Sequence, residues 1–325
     1  MSSFKILLLF LFTTAIVSCD MKSSDEGAKA TQRLDKSGKP IFDKTGELNI
    51  AGEDVMHSLI TEISKDFVEF FPNTAIQIMP NPLFNTSITE KLNDKSIDVA
   101  MTSIPASKFN NQEFVCVTIA RDALVFIINF NNNALQTLVR RGISHKTLQE
   151  IFKEKSIFSW AQIHPDIKTN APLKAYIPNK NTGAAYHLAK FIGADVSQLK
   201  GSEINSEFEI FQNVINSPIA IGLTSYIFAY NMHSKTRHSG IYVVPIDFDN
   251  SISLSDEELL YDDLDMLIMA IKGHLFPKKL VRNLSLVYRK DNEDVELIEF
   301  FIEHIFERQD IITGMNFIIP PKKQS

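Results

Sequence analysis

The segment KAYIPNKNTGAAYHLAKFIG, residues 174–193, carries the most informative local pattern in this chain. It begins as a short apolar run, passes through a polar loop and then shows apolar residues at helical spacing. Thr182 or Asn181 is placed to cap that helix. Backbone N–H groups and the helix dipole attract anions at such a helix start, so the segment is consistent with an anion-binding turn. A turn of this kind also occurs in α/β proteins where it only starts a helix, and the segment alone leaves both interpretations open.

Strands and helices alternate before this segment, which predicts an α/β fold. Three short apolar runs have strand character: residues 48–51, 75–78 and 97–101. Asp54 is placed to cap the helix after the first run, and Ser87 with Glu90 has capping-box spacing before the second helix. This βαβαβ order predicts a parallel sheet with ligands beyond the carboxyl ends of its strands. Three loops are therefore expected to converge at one edge: residues 52–55, 83–87 and 102–105.

The remaining elements suggest a second lobe and a return to the first. Residues 114–130 form a long apolar segment interrupted by Arg121 and Asp122, which predicts two strands, the second leading into another lobe. Thr147 and Glu150 have capping-box spacing before a further helix. Three later elements are predicted: a strand at residues 219–223, a crossing back to the first lobe at 241–246 and an amphipathic helix at 291–309.

Composition and motifs exclude several classes of function. The chain has 325 residues, a net charge of −6 and only 12 glycines, and it contains no GxxxxGK[ST] or GxGxxG motif. A nucleotide-hydrolysing or nucleic-acid-binding role is therefore not expected. The eight histidines are scattered without an HExxH motif, and no GxSxG motif occurs. We therefore predict no metal site, no cofactor and no enzymatic activity.

The N-terminus has the pattern of an export signal. Lys5 precedes the apolar run at residues 6–17, and Cys19 follows directly after Ser18. This pattern predicts a signal peptide over residues 1–19 that ends in a bacterial lipobox, with Cys19 lipidated, as by palmitate. An ordinary secretory signal with a chance cysteine is the alternative. The polar residues 20–46 predict a flexible tether. The protein is therefore expected in the bacterial cell envelope, anchored to the inner or the outer membrane.

Five segments, in the same order, resemble the phosphate-binding (PstS-like) members of the periplasmic solute-binding proteins. The resemblance covers roughly residues 48–320. Its segments are LNIAGEDVMHSL at 48–59, SIDVAMTSIP at 96–105, RDALVFIIN at 121–129 with LQEIFKEKSIFSW at 148–160, SPIAIGLTSYIFA at 217–229 and EFFIEHIFERQDIITGMNFIIP at 299–320.

The resemblance implies a two-lobed α/β fold with mixed sheets flanked by helices. A hinge joins the lobes, and the ligand cleft lies at that hinge. The expected division is a first lobe from residues 47–125 and 241–320, a second lobe from 126–240 and a tail at 321–325. The implied function is capture of phosphate or another small polar ligand for an ABC importer. A non-transport lipoprotein that uses the same fold as a sensor or protein-interaction module is the alternative.

The resemblance also implies a set of ligand-binding residues, several of which depart from the family pattern. Glu53 stands at the position of a family serine, and Lys180 is the only nearby positive replacement for a family arginine. The candidate residues are Gly52, Glu53, Asp54, Asn85, Thr86, Thr102, Ser103, Lys180, Asn181, Thr182 and Gly183. A carboxylate at Glu53 would repel a phosphate dianion by on the order of 1 kcal/mol. Either Glu53 points out of the cleft and a weaker anion site persists, or the pocket takes another ligand, such as one with an amine.

Overall fold

One mixed sheet provides the framework of the protein. The computed structural model describes residues 45–79, 87–248, 254 and 260–321. Eleven strands lie in this part of the chain: β1 (Gly46–Gly52), β2 (Thr74–Ile78), β3 (Val99–Thr102), β4 (Phe114–Asn129), β5 (Ile143–Ser144), β6 (Lys174–Pro178), β7 (Ser202–Ile204), β8 (Ala220–Ser225), β9 (Ile241–Val243), β10 (Ile246–Asp247) and β11 (Val281–Arg289). Eight of them follow the order β2-β1-β3-β11-β4-β8-β6-β7, β9 pairs with β4, and β10 pairs separately with β5.

Helices cover this sheet. In the described part of the chain they are α1 (His57–Phe70), α2 (Ile88–Asn93), α3 (Leu135–Arg141), α4 (His145–Gln149), α5 (Gly183–Phe191), α6 (Glu207–Ile215), α7 (Tyr226–Ala229), α8 (Leu264–Lys272), α9 (Val295–Glu307) and α10 (Gln309–Gly314). Within the same residues, no helix is both long enough and apolar enough to cross a membrane.

Strand β4 joins the two lobes because its pairing partner changes along its length. Its residues up to Ala123 pair with β11, and from Leu124 onward they pair with β8. The first lobe is built on β2, β1, β3, β11 and the start of β4, and the second on the end of β4 with β8, β6, β7 and β9. The predicted two-lobed α/β fold with mixed sheets is confirmed.

The predicted break at Arg121 and Asp122 is wrong, since β4 is one continuous strand of 16 residues. Arg121 exchanges backbone hydrogen bonds with Ile318, and the buried Asp122 is paired with a guanidinium described below. Both charged residues therefore fit inside the strand without ending it.

The local capping signals have mixed outcomes. Ser87 and Glu90 form the predicted capping box at the start of α2. Thr182 caps α5 as predicted, since its hydroxyl accepts from the N–H of Ala185. The box predicted from Thr147 and Glu150 is wrong. The cap of α4 is Ser144, whose hydroxyl accepts from the N–H of Thr147, so the helix begins three residues earlier.

Helix α5 is fixed at its C-terminal end as well. Side chains spaced four residues apart, on α4 and the π-helical turn after it, donate to three successive carbonyl groups: His145 to Phe191, Gln149 to Ile192 and Lys153 to Gly193. These donors satisfy carbonyls that a helix end leaves unpaired, and they complement its negative dipole end. Both ends of α5 are thereby held, which sets the position of its first residue in the cleft.

Several sequence predictions fall on residues outside those described. They are the signal peptide at 1–19 with Cys19, the tether up to residue 44, Asn85 and Thr86, and the tail from residue 322. The predicted tether overlaps β1 by one residue, because Gly46 already belongs to that strand. The predicted crossing back to the first lobe at residues 241–246 is wrong, because β9 in this stretch pairs with the second-lobe part of β4. The lobe boundary at residue 125 remains a prediction.

Candidate functional site

The carboxyl ends of β1 and β3 from the first lobe and of β6 from the second meet in the cleft, together with the start of α5. Glu53 follows β1, Ser103 follows β3, and Gly183, which follows β6, begins α5. Strands β1 and β3 are parallel in the first lobe, and β6 is parallel to β8 in the second. Three antiparallel pairings connect the two sets, so β6 runs opposite to β1 and β3, and the carboxyl ends of the two sets face each other across the cleft. This is the position at which open α/β sheets bind ligands.

Hydrogen-bond donors from both lobes converge here on one point. The hydroxyl of Thr102 (3.0 Å), the backbone N–H of Ser103 (2.9 Å) and the backbone N–H of Gly183 (2.9 Å) all donate to one oxygen atom. The hydroxyl of Ser103 donates to a second oxygen of the same group at 2.5 Å. We call Thr102, Ser103 and Gly183 the anion seat. Their hydroxyl and N–H donors form the kind of site that holds an oxyanion.

The group that fills the anion seat is the side chain of Glu53. Its Oε1 accepts from all three seat residues, and its Oε2 accepts from the hydroxyl of Ser103. Glu53 is 5% exposed. The carboxylate therefore points into the cleft and takes the place that an oxyanion ligand would occupy.

Two glycines let the backbones approach closely enough to form the seat. A Cβ atom on Gly183 would lie 2.2 Å from the hydroxyl oxygen and 2.4 Å from the carbonyl carbon of Ser103. A Cβ atom on Gly52 would lie 2.0 Å from the carbonyl oxygen of Met101, and its φ of +151° is one that other residues rarely adopt. Any larger residue at either position would push the loops apart.

A buried arginine, Arg282, contacts the anion seat through the hydroxyl of Ser103. The guanidinium of Arg282, on β11, donates to both oxygens of Asp122 at 2.7 and 2.9 Å and to both oxygens of Glu207 at 2.7 and 3.0 Å. It also donates to the hydroxyl of Ser103 at 3.3 Å and lies 3.7 Å from Glu53. We call Arg282, Asp122 and Glu207 the cleft cluster.

The charges of the cleft cluster are strongly coupled. Burial opposes the positive charge of Arg282, but Asp122 and Glu207 outweigh it and hold the pKa of the guanidinium well above its usual value. Burial raises the pKa of Glu207 to about 8, against the pull of Arg282 and with repulsion from Asp54 and Asp122. Since several carboxyl groups share one guanidinium, Glu207 holds its proton at neutral pH.

Asp54 also faces the second lobe. Its carboxylate accepts from the backbone N–H of Phe208 at 2.9 Å, at the start of α6. Its predicted role as a helix cap is wrong, because the residue before α1 is Met56 and no side chain caps that helix. Burial raises the pKa of Asp54, and the hydrogen bonds from Phe208 and Glu207 partly oppose the shift. Glu53 and Asp54 thus bind the starts of two helices of the second lobe, α5 and α6.

The other predicted residues lie around this centre. The backbone N–H of Lys180 donates to Glu203 at 3.0 Å, Asn181 is exposed, and the hydroxyl of Thr182 donates to the carbonyl of Asn179. The positive charge that contacts the seat belongs to Arg282 rather than Lys180. Asn85 and Thr86 lie outside the described residues.

Sequence reasoning missed Arg282, Asp122 and Glu207 as members of the site. A signal was present, because Arg282 and Asp122 each lie in a strand whose other residues are mostly apolar. Charged residues in buried strands are seldom stable unless paired, so two such interruptions of opposite sign predict contact. They are direct neighbours in the pairing of β11 with β4.

The site consists of hydrogen-bond donors and charged side chains. Its cationic group is a guanidinium held between carboxyl groups. In the described part of the chain, no group of three or more His, Cys, Asp or Glu side chains is placed to hold a metal ion.

Known proteins share this fold. A family model described as a PBP superfamily domain (PBP_like_2) matches residues 28–305. The structure is similar to an ABC-type phosphate transport receptor from Vibrio cholerae, with 17% identity, a TM-score of 0.57 and coverage of 84% of this chain and 100% of that chain. It is also similar to a protein from Clostridium perfringens, assigned as the substrate-binding protein of a phosphate ABC transporter and solved with phosphate, with 16% identity, a TM-score of 0.62 and coverage of 85% and 100%. No curated protein sequence matches the chain.

Proposed function

The chain belongs to the PBP superfamily, and from this membership we propose that it is a solute-binding protein that works outside the cytoplasm. It captures a small polar ligand, phosphate or another solute, in the cleft between its lobes and delivers it to an ABC importer. The mechanism is closure and opening about the hinge, with no covalent step. The protein is therefore a binding protein and not an enzyme.

The observation that supports this proposal is the convergence of donors from both lobes on one carboxylate. Thr102 and Ser103 belong to the first lobe and Gly183 to the second, and all three donate to the same oxygen. Donors that come from both sides of a cleft are satisfied together only when the lobes are closed on an acceptor. This geometry couples an acceptor in the cleft to lobe closure, which is what a solute-binding protein requires.

We further propose that a lipid on Cys19 anchors the protein to the membrane. The residues before Cys19 support this, since they combine a basic start, an apolar run and small residues. Labelling cells with radioactive palmitate should mark the wild-type protein and leave Cys19→Ala unmarked. Equal labelling of both would contradict the anchor.

Ligand binding is tested by thermal shift on the purified protein with a panel of small solutes. The panel contains phosphate, sulfate and small zwitterions such as glycine and phosphoethanolamine, because an added amine would suit a displaced Glu53. A ligand at about 100 times its dissociation constant adds about 2.7 kcal/mol of stability, or a few degrees. A shift in the wild type that is lost in Ser103→Ala supports the proposal, and no shift with any solute counts against it.

A second candidate is a sensor or protein-interaction module on the same fold. One observation favours it, because side chains of the first lobe themselves contact the second: Glu53 binds Gly183 and Asp54 binds Phe208. A protein that stays closed presents a constant surface to a partner. Small-angle scattering separates the candidates, since a carrier should change its radius of gyration with ligand and a closed module should not.

A further inference from the structure

We propose that Glu53 is a built-in occupant of the anion seat and sets its specificity, so that the wild-type protein rejects free phosphate. This inference rests on the proposed function, since it concerns the same cleft. Removing the carboxylate of Glu53 would free the donors of the anion seat to bind an oxyanion ligand.

The hydrogen bonds of the seat are already used. Oε1 of Glu53 accepts three bonds, from Thr102, Ser103 and Gly183, within 2.9 to 3.0 Å. The remaining hydroxyl, of Ser103, donates to Oε2. An incoming phosphate would find these donors engaged with a charged acceptor of its own kind. It can bind only by taking them from Glu53.

The two loops that hold Glu53 also lie close together. The backbone of Gly183 lies so close to Ser103 that even one added carbon atom would be 2.2 Å from the serine hydroxyl oxygen. Glu53 itself is buried between these two loops. Phosphate can therefore reach the donors of the seat only if Glu53 is displaced from between these loops.

Charge works in the same direction. A Glu53 displaced from the seat stays attached to the loop after β1, next to Asp54 and close to Arg282. Asp122 and Glu207 already share that guanidinium. Because Arg282 is already bound to Asp122, a phosphate dianion would be repelled by the carboxylates of Asp122 and the displaced Glu53. The wild-type cleft disfavours a dianion even after Glu53 has moved.

The test is phosphate titration by calorimetry and thermal shift on the purified wild type, Glu53→Ser and Glu203→Ser. Serine removes the occupant and supplies a hydroxyl donor. Glu203 is the matched control, because it is an exposed carboxylate that accepts from the backbone of Lys180 at 3.0 Å in the neighbouring loop. We expect Glu53→Ser to bind phosphate at least roughly tenfold more tightly than the wild type or the control, since it regains several charge-assisted hydrogen bonds.

The outcomes are distinguishable from those of the proposed function. Equal phosphate affinity in the wild type and Glu53→Ser overturns this inference and leaves the solute-binding proposal standing. If neither protein binds phosphate, this inference is overturned as well. If the wild type also binds none of the other solutes in the panel, the solute-binding proposal is overturned with it. A gain in Glu203→Ser equal to that in Glu53→Ser would mean a general charge effect and would overturn the role of Glu53.

Hydrogen exchange provides a measurement on the wild type that needs no variant. The amide proton of Gly183 should be protected in phosphate-free buffer because it is bonded to Glu53. Protection should be unchanged by phosphate. Fast exchange of this amide without phosphate, slowed when phosphate is added, would show a vacant seat and overturn the proposal.

Discussion

Two arginines in this protein each bind two carboxylates, but in different surroundings. Arg282 binds Asp122 and Glu207 in the cleft, and its side chain is 0% exposed. Arg308 binds Asp66 and Asp310 at the end of α9, and its side chain is 28% exposed. Asp66 also accepts from His304 at 2.7 Å. The chemistry of the two clusters is nearly the same, so their difference isolates the effect of burial.

Because the cleft cluster is buried, breaking it should be costly even though the intact cluster adds little net stability to the fold. Removing charges from water is costly, and the attraction within a buried pair only offsets that cost, whereas breaking the pair leaves a buried charge without a partner. An exposed pair loses little when it is broken, because water and salt replace the partner. The cleft cluster should therefore be sensitive to every substitution, and the cluster at Arg308 should tolerate most of them.

The largest effect is expected for Arg282→Met. The substitution leaves Asp122 buried without a counter-charge and Glu207 without its hydrogen-bond donors, so the free energy of unfolding should fall by about 3–5 kcal/mol. Urea denaturation at neutral pH measures it. Arg308→Met is the matched control and should cost about 1 kcal/mol or less. Similar losses in both variants would show that burial does not separate the two clusters.

The second prediction concerns the lobe contact that buries the cleft cluster. Gly183→Ala places a methyl group 2.2 Å from the hydroxyl oxygen of Ser103, so the loops must separate. We expect a loss of about 1–3 kcal/mol, as for other overpacked contacts. Gly314→Ala is the control, since nothing lies within 4 Å of its added carbon and alanine favours the helix. A neutral Gly183→Ala in chemical denaturation would mean that the two lobes close less tightly than described.

The third prediction uses pH. Burial raises the pKa of Glu207 from its ordinary value of 4.5 to about 8 in the folded protein. Between these values the folded state holds a proton that the unfolded state has released, so stability should fall as pH rises, by at most about 1.4 kcal/mol per pH unit. Glu207→Gln should remove this part of the pH dependence. Glu209→Gln, an exposed residue of the same helix, should leave it unchanged.

The outcome that would contradict the third prediction is a wild-type stability that is constant between pH 5 and 8. Glu207 would then be ionised in the fold, with Arg282 dominating over burial. An unchanged slope in Glu207→Gln would instead assign the titration to another group, and Asp54, whose pKa is also raised, is the next candidate.

The smallest effect is expected at the partly exposed cluster around Arg308. Asp66→Asn removes the charge that binds His304 and Arg308, and the loss should be about 1 kcal/mol at low salt. Because part of the cluster is open to solvent, added sodium chloride should shrink this difference. Denaturation curves at low and high salt test it. A loss that is large and independent of salt would place Asp66 in the same energetic class as Asp122.

The sequence predicted the order of elements and the two-lobed fold better than it predicted the site. The caps at Ser87 and Thr182 were found because the bonds they make lie within three residues of the cap. The break in β4 was predicted wrongly for a related reason. A charge in an apolar run looks like an interruption until its partner is known, and the partner of Asp122 lies 160 residues away at Arg282.

The candidate site also depends on contacts between residues that are far apart in the chain. The sequence placed Glu53, Ser103 and Gly183 in one cleft by resemblance, and the structure brings them together. It left open whether Glu53 points outward or inward. The answer depends on a hydrogen bond that spans 130 residues and two lobes, and no local pattern encodes such a contact.

The segment at residues 174–193 summarises the division. Its own residues determined a strand, a capped helix and a helix start with free N–H groups, because periodicity and capping act over a few neighbours. Only the tertiary structure decided to which acceptor the N–H group at the start of this helix donates. Closure of the lobes brings the carboxylate of Glu53 to Gly183 and buries Arg282 behind Ser103, since hydrogen bonding and burial depend on distances in space rather than in the chain.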